Sequence, residues 1–181
     1  NPQPAFSHVP RVGQKEVKSE PSRLKPHLPG TSYDVLACDD NPFQLSYYSN
    51  YFEKNPRGSY KNQDKYKDLK ISLSRSGEDL ISNYQTMKKG GYEPLFVITD
   101  MEMGSNHLTG IETSKELRVQ GFLGPIIMNT SECRLELTES SNIDNLLEEK
   151  VINYYVNKQS PLRFENTVKD VMRSSKSYPT P

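Results

Sequence analysis

Leu95-Phe96-Val97-Ile98-Thr99-Asp100 is the stretch on which the fold depends, since four consecutive apolar residues stop there at a hydroxyl and a carboxylate. A short continuous apolar run bounded by polar residues is typical of a strand that is buried on both faces of a sheet. Gly110 and Ile111 open a segment of helical spacing that continues to about Gln120. Burial on both faces requires covering helices, so this stretch predicts the centre of a parallel sheet in an α/β domain.

Four further strands are predicted around this one, at Tyr33–Cys38, Leu69–Leu73, Ile126–Met128 and Val151–Val156. Helices are predicted over about 42–54, around Leu80 to Met87, within 131–149 and around Phe164 to Met172. Apolar and polar residues alternate in Leu69–Leu73, which favours a half-exposed strand near the sheet edge. Because parallel strands need crossover connections, five strands alternating with helices predict a doubly wound, five-stranded parallel sheet.

The predicted domain covers residues 33–175, and its flanks differ from it in composition. Residues 1–32 are rich in proline and basic residues without hydrophobic periodicity, so we expect a disordered linker. The polar stretch 55–68 is predicted to be an inserted loop, and residues 176–181 a short tail. Because few residues follow the last predicted helix, we expect no DNA-binding output domain after it.

The overall charge counts against two classes of partner. The 23 basic and 23 acidic residues cancel, which removes any bulk electrostatic attraction to nucleic acid or to an anionic membrane.

No apolar run reaches the roughly 20 residues of a spanning helix, and residues 1–4 do not resemble a signal peptide. Cys38 and Cys133 are too few for a disulfide framework or a four-ligand zinc site. We therefore expect a cytoplasmic protein, although its parent could be membrane-anchored.

Polar groups follow four of the predicted strands at their carboxyl ends. Asp39 and Asp40 follow the first strand, Asp100 the third, Thr130 the fourth and Lys158 the fifth. Ligands of open α/β sheets bind beyond these ends, so we expect the five side chains to face one crevice. Each is also an ordinary helix cap or a solvated charge when taken alone. Their recurrence on four strands favours a functional site.

These side chains indicate phosphoryl chemistry. Three carboxylates in one crevice repel one another unless a cation keeps them ionised, and oxygen ligands without a nearby His favour Mg²⁺. A carboxylate beside Mg²⁺ can attack phosphorus and become an aspartyl phosphate. The Lys158 ammonium and the Thr130 hydroxyl would then bind the phosphoryl oxygens.

At these positions the chain resembles the receiver domains of two-component response regulators and hybrid histidine kinases. The resemblance covers about residues 33–175 and rests on four motifs, Asp39–Gln44, Asp100–Met103 with Gly110–Glu112, Pro125–Ser131 and Tyr155–Lys158. It implies the flavodoxin-like strand order 2-1-3-4-5, with helices on both faces. The order places the second strand at the edge, in agreement with its alternating pattern.

The resemblance also implies a role for each polar group. Asp100 would accept a phosphoryl group from a phosphohistidine on a histidine kinase or a histidine phosphotransfer domain, and the domain would catalyse its own phosphorylation and dephosphorylation. The implied context is a phosphorelay, with the chain as the C-terminal receiver of a hybrid histidine kinase or as a single-domain receiver. The other implied roles are Mg²⁺ binding by Asp39, Asp40, Asp100 and the backbone carbonyl of Glu102, phosphoryl binding by Thr130 and Lys158, and switching by Thr130 and Tyr155.

Two loops depart from the family's pattern. The family has Met-Pro and soon a Gly after the acceptor, whereas Met103–Gly110 is longer and lacks the Pro. The family's Lys-Pro pair is replaced by Lys158–Pro161, so the turn after strand 5 must be built differently. His107 in the longer loop is a weaker candidate for contact with the metal or a partner.

These departures leave two alternatives open. The first is a pseudo-receiver that is not phosphorylated and acts only as a protein-binding module. The second is a Mg²⁺-dependent phosphohydrolase with an aspartyl-phosphate intermediate, since the same groups would serve that reaction. A hydrolase needs a substrate cap, and the 55–68 insertion is short and polar for that purpose.

Overall fold

The structure, a computed structural model, describes residues 31–52, 69–131 and 142–175. Its elements are β1 (Val35–Cys38), α1 (Pro42–Phe52), β2 (Ile71–Ser74), α2 (Gly77–Lys89), β3 (Phe96–Thr99), α3 (Gly110–Val119), β4 (Ile126–Thr130), α4 (Ile143–Glu148), β5 (Tyr154–Asn157) and α5 (Pro161–Ser175). The predictions for residues 1–30, 55–68 and 176–181, and for Cys133, lie outside the described residues.

The five strands form one parallel sheet in the order β2-β1-β3-β4-β5. This confirms the predicted doubly wound topology and the edge position of β2. Strand β3 lies at the centre and is buried at every position, as its apolar run predicts. Val97 faces a core cluster with α2, α3 and α4, whereas Phe96 and Ile98 face a second cluster with α1 and α5. The sheet is therefore covered on both faces.

The face covered by α1 and α5 is rich in aromatic rings. Tyr48 and Phe52 of α1 and Phe164 of α5 are almost completely buried. The Phe164 ring centroid lies 5.5 Å from that of Tyr48 and 5.6 Å from that of Tyr51. Tilted and edge-to-face pairs at such distances stabilise the contact beyond the area that they bury. The rings thus fix α1 and α5 beside the ends of β1 and β5.

The expectation that β2 is half-exposed was wrong for its polar face. Ser72 and Ser74 are buried, at 8% and 3% exposure. Helix α2 covers them, and the Asn83 amide donates to their hydroxyls at 3.3 and 3.1 Å. An alternating pattern predicts water on the polar face, but here a single amide satisfies two buried hydroxyls.

Strand β5 begins at Tyr154, three residues later than predicted. Ile152 lies in a loop, where its N–H donates to Leu146 of α4 at 3.2 Å. Its side chain is nevertheless fully buried, so the apolar pattern there is that of a core loop. Asn153 then accepts the Ile126 N–H through Oδ1 at 2.8 Å, which occupies the ladder position before β5.

Candidate functional site

The carboxyl ends of β1, β3 and β5 bring three of the predicted side chains into contact. Lys158 Nζ lies 2.6 Å from Asp39 Oδ2 and 2.6 Å from Asp100 Oδ2. Asp40 is exposed beside them, and one carboxylate oxygen from each aspartate lies within 4.8 Å of the others. We call Asp39, Asp40 and Asp100 the acidic cluster. The structure thus joins side chains that are up to 119 positions apart in the sequence (158 − 39).

Backbone hydrogen bonds across the sheet fix the two buried aspartates. The Asp39 N–H donates to Ser74 O at 3.1 Å, and the Asp100 N–H donates to Cys38 O at 3.1 Å. Each aspartate therefore continues the ladder by one residue beyond its strand. The sheet therefore fixes the backbone of both aspartates, from which their side chains reach the cluster.

Burial and repulsion together dominate the electrostatics of the cluster. Burial raises the pKa of Asp39 to about 6, the charge of Asp100 adds to that shift, and Lys158 and the Asn41 N–H oppose it. Burial by itself would lower the pKa of Lys158, but its hydrogen bonds to Asp100 and Asp39 outweigh burial, and the net pKa is raised. One ammonium thus compensates three carboxylates, and a cation would relieve the remaining repulsion.

The turn after β5 places Lys158 without the family's Lys-Pro pair. The Lys158 N–H donates to Thr130 O at 2.9 Å, which extends the pairing of β4 and β5. Asn157 then closes the turn, since its carbonyl accepts the Ser160 N–H at 2.9 Å and its Oδ1 accepts the Gln159 N–H at 2.8 Å. The described backbone contains no cis peptide bond. The prediction of a differently built turn is confirmed, and the Asn side chain is its cause.

Thr130 and Tyr155 lie on the neighbouring strands β4 and β5. Thr130 is the buried last residue of β4, and its register partner on β5 is Asn157. Tyr155 is partly buried and packs against the hydrophobic core between the sheet and helices α2, α3 and α4. An aromatic ring in this position has one side in the core and one side accessible to solvent.

The loop after Asp100 packs closely against the side chain and backbone of Asp100. The Met101 N–H donates to Asp100 Oδ1 at 2.7 Å, and the Gly110 N–H donates to Met101 O at 2.8 Å. A Cβ at position 110 would lie 1.9 Å from the Asp100 carbonyl oxygen, so only glycine fits there. Glu102 lies in irregular backbone two residues after Asp100, with its side chain exposed.

Sequence reasoning missed a buried polar pair behind the cluster. Asn129 of β4 is 1% exposed, and its Nδ2 donates to Tyr48 Oη of α1 at 2.8 Å. Burial raises the pKa of Tyr48 well above its usual value, so the phenol stays protonated. The only signal in the sequence was an Asn that directly follows the apolar run Ile126–Met128.

His107 and the thiol of Cys38 both have structural explanations. His107 Nδ1 lies 3.4 Å from Glu78 Oε2, so the residue belongs to a contact between α2 and the loop. Cys38 is buried with its Sγ 3.3 Å from Thr99 Oγ1, and burial raises the pKa of its thiol to about 12. A thiol in that state is a poor nucleophile.

Comparison with known proteins gives matches only at the level of structure. No protein-family model and no curated protein sequence matches the chain. The chain is similar to the signal receiver domain of a putative Luxo repressor protein from Vibrio parahaemolyticus, with 16% identity and a TM-score of 0.57, covering 81% of this chain and 94% of that one.

Two more solved structures agree. Chemotaxis protein CheY4 of Vibrio cholerae has 20% identity and a TM-score of 0.54 over 78% of this chain and 99% of that one. Response regulator protein TrrA of Thermotoga maritima, in complex with Mg²⁺-BeF, has 20% identity and a TM-score of 0.52 over 76% and 96%.

The TM-scores of these superpositions, all above 0.5, establish a shared fold although the sequence identities are low. The similar structures are receiver domains and CheY-like proteins, and the strand order β2-β1-β3-β4-β5 with helices on both faces is the order that the sequence resemblance implied. The chain therefore has the fold of a response-regulator receiver domain.

Proposed function

We propose that the chain is a phosphoacceptor domain of a two-component phosphorelay, with Asp100 as the residue that is phosphorylated. One observation carries the proposal: Lys158 Nζ lies 2.6 Å from Asp100 Oδ2 inside a cluster with two further carboxylates. A partly buried lysine held on a carboxylate is placed to follow negative charge when that carboxylate gains a phosphoryl group.

The acidic cluster fits Mg²⁺ by its chemistry. Asp39, Asp40 and Asp100 supply hard oxygen donors, and their oxygens within 4.8 Å of one another can share one ion. The backbone carbonyl of Glu102 would add a further oxygen. When bound, Mg²⁺ would supply charge neutralisation for the phosphoryl oxygens.

The remaining work falls to side chains of the chain itself. An Asp100 carboxylate oxygen attacks phosphorus, an O–P bond forms, and the N–P bond to the donor histidine breaks. Lys158 moves from the carboxylate to a phosphoryl oxygen, and the Thr130 hydroxyl donates to another. The buried position of Asp100, 5% exposed, limits access of water to the acyl phosphate.

The partner is a phosphohistidine protein, either a histidine kinase or a histidine phosphotransfer domain. The TrrA structure contains Mg²⁺-BeF, and this supports the same chemistry here. We propose that the chain acts in the cytoplasm, as a receiver domain of a hybrid histidine kinase or as a single-domain receiver. No helix in residues 31–52, 69–131 or 142–175 could cross a membrane.

Thr130 and Tyr155 would carry the signal. A phosphoryl group adds about two negative charges at the end of β3, and Thr130 can lower their energy by moving inward. The half-buried Tyr155 ring would then move into the space behind it. Amide chemical shifts with and without beryllofluoride test this, and changes confined to the loops around Asp40 and Asp100 would refute the switch.

Acetyl phosphate with Mg²⁺, followed by intact mass, tests the proposed function. Wild type should gain one acid-stable, base-labile phosphoryl group, Asp100→Asn should gain none, and Asp170→Asn should behave as wild type because Asp170 is an exposed carboxylate on α5. Labelling that persists in the Asp100→Asn variant would place the acceptor elsewhere. A wild type that no phosphohistidine donor labels would be a pseudo-receiver, and repeated turnover of phosphomonoesters would identify a phosphohydrolase.

A further inference from the structure

The loop between β3 and α3 is the segment in which this chain is longer than the family's pattern, and it borders the acceptor. Its base is fixed, because Met101 O accepts the Gly110 N–H and the Met103 side chain is 2% exposed in the core. The tip at residues 104–106 is exposed. A contact at the residues between the tip and Gly110 would therefore restrain the part of the loop that the base does not hold.

Glu78, in the first turn of α2, makes that contact. Its Oε1 accepts the Leu108 N–H at 2.9 Å, and its Oε2 lies 3.4 Å from His107 Nδ1. Thirty positions separate Glu78 from Leu108, so this is a tertiary contact between α2 and the loop. Ser76 caps the helix by accepting the Asp79 N–H at 3.2 Å, which leaves the Glu78 carboxylate available for the loop.

The first turn of α2 packs directly against α3 and the loop. A Cβ at Gly77 would lie 2.0 Å from Thr113 Oγ1 of α3 and 3.3 Å from the Leu108 Cβ. This approach is possible only because position 77 has no side chain. Glu78 thus projects from a turn whose position relative to α3 and Leu108 is fixed by direct packing.

We infer that Glu78 is a positioning residue for the acceptor loop, which fixes the backbone between Glu102 and Leu108 and thereby strengthens Mg²⁺ binding at the acidic cluster. The inference rests on the proposed function, because it assumes that the Glu102 carbonyl faces the metal. A loop that is already ordered loses less conformational entropy when the ion binds. The Glu78 carboxylate would affect Mg²⁺ by fixing the loop backbone, since Glu78 is not one of the residues of the acidic cluster.

Three variants separate position from charge. Glu78→Ala removes both contacts, whereas Glu78→Gln keeps an oxygen that can accept the Leu108 N–H and removes the charge. Asp79→Ala removes an exposed carboxylate from the same turn, and Asp79 has no side-chain contact with the loop among the described residues. A purely electrostatic effect on Mg²⁺ would be the same in all three.

The first measurement is amide hydrogen exchange of the metal-free proteins. Exchange at Leu108 should be about tenfold faster in Glu78→Ala, because a hydrogen bond to a charged acceptor is lost. It should remain close to wild type in Glu78→Gln and Asp79→Ala. Unchanged exchange in Glu78→Ala would overturn the inference.

The second measurement is calorimetric titration with Mg²⁺ alone. The affinity of Glu78→Ala should fall by about three- to tenfold, with the Gln variant and the Asp79 control near wild type. If the wild type binds Mg²⁺ and all three variants lose the same affinity, Glu78 acts only as a surface charge. That result would overturn this inference but not the proposed function. Absence of Mg²⁺ binding by the wild type would overturn the proposed function and this inference with it.

Discussion

Replacing Asp39 by Asn should stabilise the metal-free fold at neutral pH, although the substitution removes an ion pair. Asp39 is completely buried, and burial with repulsion from Asp100 raises its pKa to about 6 even though Lys158 Nζ lies 2.6 Å away. The ionised carboxylate is thus less stable in the folded chain than in the unfolded chain. An amide avoids that cost and keeps an oxygen for the Asn41 N–H, which Asp39 Oδ1 now accepts at 2.9 Å.

The magnitude follows from the shift. A carboxyl group with a raised folded pKa binds more protons when folded, so its contribution to stability falls as pH rises from the unfolded value of about 4 towards about 6. Two pKa units correspond to about 3 kcal/mol at about pH 7.5, and roughly half of that remains at about pH 5. Because Asn leaves Lys158 with Asp100 alone, we expect a gain of about 1–3 kcal/mol near pH 7.5.

Urea unfolding in the presence of a chelator measures this gain at both pH values. Asp170→Asn is the control, since Asp170 is exposed and its 3.6 Å pair with Arg173 contributes little. Added Mg²⁺ should stabilise wild type by linkage and should leave Asp39→Asn nearly unchanged. A stability difference that is the same at both pH values, or a destabilised variant near pH 7.5, would refute the reasoning.

Three further substitutions test other parts of the structure. Tyr48→Phe leaves Asn129 Nδ2 buried without its acceptor and should cost about 1–3 kcal/mol in urea unfolding; adding Asn129→Val should recover most of that cost. Arg118→Lys should cost about 1–2 kcal/mol, because the guanidinium donates to four separate oxygens and one ammonium cannot reach them all; a change within error would contradict this. Gly110→Ala should lower the unfolding midpoint and abolish labelling by acetyl phosphate, since its Cβ would lie 1.9 Å from the Asp100 carbonyl oxygen; a fully labelled variant would show that the loop yields.

The strands that the sequence predicted most directly are the ones whose burial comes from both sides. The apolar runs of β1 and β3 are fully buried, as is typical of strands in a parallel sheet that is covered on both faces. The polar face of β2 did not predict its own burial. A serine gives the same alternating pattern whether its hydroxyl contacts water or is covered by an amide. Asn83 decided the outcome from nine and eleven positions away, and periodicity does not report such a partner.

Part of the candidate site was predictable for the same reason that the sheet was. Parallel strands end at one edge, so Asp39, Asp100 and Lys158 had to lie near one another once their strands were identified. Their charge state was not predictable, because the pKa of Asp39 depends on how much water the folded chain excludes and on which oxygen the lysine meets.

The turn after β5 fixes the position of Lys158 without a proline directly after the lysine. Lys158 reaches both aspartates because its backbone N–H continues the β4–β5 ladder onto Thr130, and this bond needs no proline. The side chain and carbonyl of Asn157 then accept the hydrogen bonds that close the turn, as Asn commonly does in turns. The position of the ammonium is therefore set by strand register. Substitutions in residues 159–161 that keep Asn157 should leave the 2.6 Å contacts in place, whereas Asn157→Ala should loosen Lys158 and slow labelling of Asp100.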